Sequence, residues 1–313
     1  SLNKSKDDWQ YSTALDFYNF SDNRKANETN VKFEAEGSKL MNNAMFSMYA
    51  SFEGGEIKQE LFNFNRSIFR LRPKFVLREN LYTLEAGANL AFETNNGKND
   101  LRIYPQVRGE YQIIDDAFKV YGEVSGDLQR NDLRSFSREN PFFGTFVPLV
   151  NTNRKLSIIG GANIKLEHDL MFAGEASYSR LRNLPFFING YDSLYPVTFS
   201  TVYDQVNLLR IKGSLEYKQA EKVTAAISAE YNNYKTDQLK EALYAPTFRF
   251  GFNGHYNIAD KIYLKADLIY NAGINGIAYT KSDSLVTSSS KELKGWLDAS
   301  LGVDYRYSKV LSI

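Results

Sequence analysis

The stretch FKVYGEVSGDLQ, residues 118–129, decides the fold because it alternates without a miss. Phe118, Val120, Gly122, Val124, Gly126 and Leu128 are apolar or small, and Lys119, Tyr121, Glu123, Ser125, Asp127 and Gln129 are polar. Successive side chains of a strand point to opposite faces, so the pattern predicts a strand with one apolar and one charged face. A soluble sandwich would bury the apolar face in a core. A membrane barrel would show it to lipid and keep the charged face inside.

Other runs repeat the pattern. Tyr82, Leu84, Ala86, Ala88, Leu90 and Phe92 alternate with Thr83, Glu85, Gly87, Asn89, Ala91 and Glu93; Leu209, Ile211, Gly213, Leu215 and Tyr217 alternate with Arg210, Lys212, Ser214, Glu216 and Lys218. Leu156, Ile158, Ile164 and Leu166, and later Leu297, Leu301, Val303 and Tyr305, behave alike. About fourteen segments of roughly 9–13 residues emerge, the length at which a tilted strand crosses a bilayer. No run of about 18 apolar residues exists, which excludes a helical span, and the opening SLNKSKDDWQ lacks the apolar core of a secretory signal.

Connections separate the two alternatives. Short turns are expected near residues 41–44, 77–80, 113–119, 167–172, 218–223, 257–262 and 307–312, with mostly longer loops between them, such as 131–154, 182–205 and 273–292. Alternate connections of an up-and-down barrel share one end, so sorting by length matches an outer-membrane barrel, with short periplasmic turns and long extracellular loops. Greek-key sandwiches have no reason to sort them. Tyr82, Tyr111, Phe118, Phe172, Tyr217, Tyr256 and Tyr305 lie on the apolar face near short turns, as an interfacial girdle requires. The expected fold is an all-β transmembrane antiparallel barrel of about 14–16 strands or more, integral to a bacterial outer membrane, with lipid and lipopolysaccharide around it.

The expected lumen carries both signs. Arg70, Arg72, Lys74, Arg102, Arg108 and Lys212 face inward with Glu85, Glu93, Glu110, Glu123, Asp127 and Asp304. So many ionisable groups must be wet or paired, because an unpaired buried charge costs several kcal/mol. FRLRPKFVLR, residues 69–78, is a local basic excess that would favour anions unless neighbouring carboxylates pair with it.

Composition narrows function by exclusion. The chain has 313 residues, a net charge of +1 and no cysteine, which argues against nucleic-acid partners and excludes disulfides and thiolate chemistry. His168 and His255 carry no nucleophile or metal signature around them, so no enzyme activity, metal or cofactor is expected.

At residues 84–143 the hairpin strand IYPQVRGEYQIIDD, the strand YGEVSGDLQRN and the loop element RENPFF resemble the barrel portion of Bacteroidota outer-membrane proteins similar to TonB-dependent receptors. The resemblance continues more weakly through LPFFINGYDS and KGWLDASLGVDYRYSKVLSI. It implies an outer-membrane barrel with its long loops facing the exterior. No globular plug is recognisable before the first strand, expected near Asp8, and the final KVLSI starts a strand and stops. Residues 1–313 are therefore expected to form a single barrel domain incomplete at the C-terminus, with N-terminal segments also open to question, since bacterial barrels have an even strand number.

Function is expected in the loops. Residues 139–150 include Phe142, Phe143 and Phe146, and residues 183–199 include Phe186, Phe187 and Tyr191, too much apolar surface to leave in water. Phe142, Phe143, Phe186, Phe187 and Tyr191 are expected to meet over the extracellular mouth and narrow it. Solute or nutrient passage is the first expectation. A non-transporting scaffold, its lumen closed by ion pairs and its loops holding other envelope proteins, is the alternative.

Overall fold

The computed structural model describes every residue except 1, 7–8, 23–25, 60–61, 143, 145–146, 191–198, 283–284 and 308–313. The described residues form strands β1 (Leu2–Lys6), β2 (Trp9–Ser21), β3 (Asn27–Met41), β4 (Ala44–Gln59), β5 (Phe62–Arg78), β6 (Tyr82–Asn95), β7 (Lys98–Ile114) and β8 (Phe118–Gln129). Helix α1 (Leu133–Glu139) follows, then β9 (Thr152–Glu167), β10 (Leu170–Asn189), β11 (Phe199–Gln219), β12 (Val223–Thr236), β13 (Phe248–Ile258) and β14 (Ile262–Ala272). The chain ends in β15 (Ile274–Ser282), β16 (Leu285–Leu293) and β17 (Trp296–Tyr305). One 15-stranded sheet runs β1 to β14 in sequence order and then β17, while β15 and β16 form a separate two-stranded sheet. This up-and-down antiparallel order is the transmembrane barrel fold that the alternation implies.

Register lines the apolar residues up. Leu15 pairs with Phe33, Phe33 with Phe52, Phe52 with Phe69 and Phe69 with Phe92, and all five side chains are exposed. Such a row is unfavourable in water and favourable in lipid. Tyr82 and Phe92 mark two heights of the outer face of β6, ten positions apart. At about 3.4 Å per residue and a tilt of roughly 40°, that spans on the order of 25 Å, the height of an outer-membrane apolar band. Phe46 and Phe75, also paired in register, hold their rings 4.9 Å apart, as cross-strand aromatics do.

Several expectations need correction. Residues 182–205 are not one long loop, because β10 reaches Asn189 and β11 starts at Phe199. Residues 273–292 are mostly the hairpin β15–β16, in which backbone pairing replaces an open loop. The connection at Asn96–Gly97, on the loop end, is a tight turn; both residues have positive φ, 48° and 78°, the geometry that favours Asn-Gly. The strand expected near Asp8 is preceded by β1, paired with β2. The turn expected at 307–312 lies largely outside the described residues.

The opening stretch also breaks its own rule. Val120 and Val124 are half-buried, but Leu128, expected to face lipid, is fully buried in a cluster with Ile68, Ala91 and Tyr104. Near it, Asn89 Nδ2 donates to the Gly126 carbonyl (3.1 Å) and Arg70 Nη2 to the Leu128 carbonyl (2.6 Å). A side chain at Gly126 would lie 2.6 Å from the Tyr104 ring and 2.9 Å from the Arg154 carbonyl, so only glycine permits this approach.

The chain divides into two compact units. The first comprises Ser1–Glu110, Glu123–Ile158 and Ser179–Val206, and the second Tyr111–Gly122, Ile159–Tyr178 and Asn207–Ile313.

Candidate functional site: an inner wall and its strap

The site lies in the first unit, where the segment between β8 and β9 meets the inner faces of several strands. Strand period fixes the wall: Arg66, Arg70, Arg72 and Lys74 sit at alternate positions of β5, facing away from the exposed Phe69 and Phe75. Each of the last three is neutralised. Arg70 Nη1 lies 3.6 Å from Glu53, Arg72 Nη2 lies 3.1 Å from Asp127, and Lys74 Nζ lies 3.0 Å from Glu85. Arg102 pairs with Glu93 and Asp100, each at 2.5 Å, and Arg108 with Glu110 and Glu123 at 2.8 and 3.0 Å. Three basic residues of this stretch are thus matched by carboxylates of β4, β8 and β6, while Arg78 is exposed.

Arg130 opens the strap. Its Nη2 donates to Glu28 Oε1 (3.2 Å) and its Nε lies 3.5 Å from Glu53, with the Arg130 and Glu28 side chains 4% and 0% exposed. Glu28 Oε2 accepts the Leu133 backbone N–H at 2.8 Å, so one buried carboxylate of β3 holds both the arginine and the start of α1. Asp132 caps the helix: its Oδ1 accepts from the Ser135 N–H at 2.6 Å, and Ser135 Oγ answers to the Asp132 N–H. Seven residues are too few for a helix to stand alone in water, so packing must hold it. Leu133 and Phe136, three apart and therefore on one face, are buried, and Phe136 meets Phe187 edge-to-face at 5.7 Å. Arg134 stacks over the Tyr18 ring at 4.7 Å.

The return limb is held equally well. Gln59 Nε2 donates to the Val147 carbonyl and Gln59 Oε1 accepts the Val147 N–H, both at 3.0 Å. Tyr203 donates its hydroxyl to the Pro148 carbonyl at 2.6 Å. Arg66 donates to the Asn131 carbonyl at 2.7 Å and also to the Asn151 side chain, whose Nδ2 donates to Glu93 at 2.7 Å. Asn131 Nδ2 reaches the Val150 carbonyl at 2.7 Å, joining the two limbs.

Of the loop aromatics, Phe186 and Phe187 are buried, whereas Phe142 is 54% exposed. The Phe142 carbonyl accepts the Phe199 N–H (2.9 Å) and the Gly144 N–H donates to the Phe199 carbonyl (2.6 Å), so backbone rather than ring anchors this turn. Phe143, Phe146 and Tyr191 lie outside the described residues. Among the described residues, Leu133, Phe136, Val147 and Leu149 are buried along with Phe186 and Phe187. Arg66 was legible as an inner-wall residue by its spacing from Arg70, but the pairing of Glu28 with a residue 102 positions away has no local signal.

The second unit has a more open inner face. Lys265 Nζ and Asp304 are 2.6 Å apart, with side chains 47% and 49% exposed, and Arg210 reaches Asn232 at 2.9 Å. Lys212 is exposed. Residues 237–247 clip onto β15 through the Tyr244 N–H, which donates to the Asn275 carbonyl at 2.7 Å. The Tyr244 hydroxyl accepts the Ile277 N–H at 3.3 Å, and burial raises the phenol above its ordinary pKa. Among the described residues, no group of three or more His, Cys, Asp or Glu side chains could hold a metal ion.

An apolar outer face, a charged inner face and up-and-down pairing define an integral β-barrel of the outer membrane. No family model matches the chain, and no curated protein matches its sequence. Among solved structures it is similar to the siderophore receptor PirA from Acinetobacter baumannii, with a TM-score of 0.66, 9% identity, and coverage of 96% of this chain and 54% of that one. The ferripyoverdine receptor of the Pseudomonas aeruginosa outer membrane, bound to ferripyoverdine, gives a TM-score of 0.62 at 11% identity, covering 96% and 48%. The copper transporter OprC gives 0.60 at 11% identity, covering 96% and 53%. The chain thus spans about half the length of the receptors it matches.

Proposed function

We propose that the protein to which this chain belongs passes a solute or nutrient across the outer membrane, as a receptor-type or porin-like barrel. The observation that carries the proposal is the segment laid along the inner wall of the first unit, where it would meet a solute crossing the lumen. Likeness to siderophore receptors and a copper transporter supports a nutrient as the cargo. Envelope lipid and lipopolysaccharide would surround the apolar face. No catalytic role is assigned. Inner-wall charges paired within 4 Å leave little net field, so passage should discriminate weakly by charge. A strong anion preference would instead give Arg70, Arg72 and Lys74 a functional role.

The same pairing favours a second reading, a barrel closed by ion pairs whose loops hold other envelope proteins. A structural neighbour solved in complex with pyocin S2 gives that reading a protein-partner precedent. Conductance of the full-length protein in a planar bilayer, with and without residues 139–150, separates the two. A conductance that rises on deletion supports passage through a constricted lumen, and silence in both forms supports the scaffold.

A further inference from the structure

We infer that the two described limbs of the β8–β9 connection, residues 130–139 and 147–151, form a fixed strap, docked on the wall throughout passage, and not a gate that swings away. The inference rests on the passage reading for its consequence, but the docking stands on the contacts of Glu28, Phe136 and Gln59. Segments that move are drawn from regions with few buried contacts and solvent-exposed backbone bonds. This one is secured at its entry, its middle and its return, on different strands.

At the entry, Glu28 of β3 binds Arg130 and the Leu133 N–H with different oxygens. In the middle, Phe136 is 2% exposed and meets Phe187 of β10. On the return, Gln59 of β4 grips both backbone groups of Val147. Releasing the entry alone would leave Glu28 charged in a site where it is 0% exposed, and removing one partner of a buried ion pair is strongly unfavourable. Releasing the return would strip Val147, 1% exposed, of both backbone partners at once. A solute would have to supply all of this to open the segment, whereas a fixed strap asks nothing of it. The strap then sets the permanent width of that side of the lumen, and passage uses whatever the strap leaves.

The absence of cysteine from residues 1–313 allows a direct test once any cysteine elsewhere in the full-length protein is replaced by serine. In the full-length protein, Gln59→Cys and Val147→Cys are bridged by a short bis-thiol reagent containing a reducible link, which replaces the two Gln59 hydrogen bonds by a covalent tether, and the single-channel conductance of the bridged protein in KCl is compared with that of the protein retaining Gln59 and Val147. Conductance of the bridged protein within twofold of that reference is expected. A bridged conductance well below the reference, recovering on reduction, would overturn the fixed strap. If neither form conducts, the passage reading fails by itself, and the strap is judged by thiol labelling of the single Val147→Cys variant in the folded protein. Labelling at least tenfold slower than in the unfolded chain is the docked result; equal rates would sink it.

Discussion

The inner faces of the two units solve one problem differently. Both carry charged residues that strand alternation points inward, but the Arg130–Glu28 pair is 4% and 0% exposed, whereas Lys265–Asp304 is 47% and 49% exposed. Strand pattern does not distinguish them, since Glu28 and Lys265 are both polar residues in alternating strands. The difference is the strap. Where a segment covers the wall, each charge must find a partner and each backbone group an acceptor or donor. Where the described residues leave the side chains half exposed, as at Lys265 and Asp304, water can do that work. A side chain of the same type is therefore structural in one unit and merely solvated in the other.

The largest expected effect tests that contrast directly. Arg130→Ala removes the partner of a fully buried carboxylate and should cost roughly 3–5 kcal/mol in denaturant unfolding. Lys265→Ala should leave the unfolding midpoint unchanged, and equal losses for both variants would erase the distinction. Next come the outer faces, where the units should not differ: Val124→Arg in the first and Leu301→Arg in the second should each cost roughly 2–4 kcal/mol if near the bilayer midplane. Ser125→Arg, on the polar face, should be much milder in refolding into lipid vesicles. A large difference between Val124→Arg and Leu301→Arg would mean that one unit does not present its apolar face to lipid.

Gly126→Ala sharpens the comparison within β8. Its Cβ would crowd the Tyr104 ring and the Arg154 carbonyl, so roughly 1–3 kcal/mol should be lost. Gly213→Ala, with open space around the added carbon, should change stability little by the same measurement. The smallest expected effect is at the helix start: Asp132→Ala removes the N-cap and should cost about 0.5–2 kcal/mol. Faster proteolysis confined to residues 133–139 is the accompanying readout. No change there would mean that Glu28 and the buried Leu133–Phe136 face hold α1 without the cap.

Much of the architecture was legible because a strand's period is local. Alternation at Tyr82–Phe92 placed Leu84 outward and Glu85 inward, and the structure agrees: Leu84 is 49% exposed and Glu85 pairs with Lys74. The short turns at 41–44, 77–80 and 167–172 were likewise legible, since turn residues act over a few positions. Loops were harder. Aromatic content marked residues 139–150 and 183–199 as segments that need cover, but it could not say that β10 extends to Asn189, or that Phe187 meets Phe136 while Phe142 stays exposed.

By itself, then, the sequence determined the all-β class, the crossing strands and which face meets lipid, because each follows from side-chain periodicity matched to a two-sided environment. Tertiary structure alone decided that Leu128 leaves the outer face, that Glu28 binds a residue 102 positions away, and that the chain after β8 folds onto the wall. Those choices depend on contacts between segments far apart in the chain, whose energies exist only once the strands have aligned and brought the partners within reach.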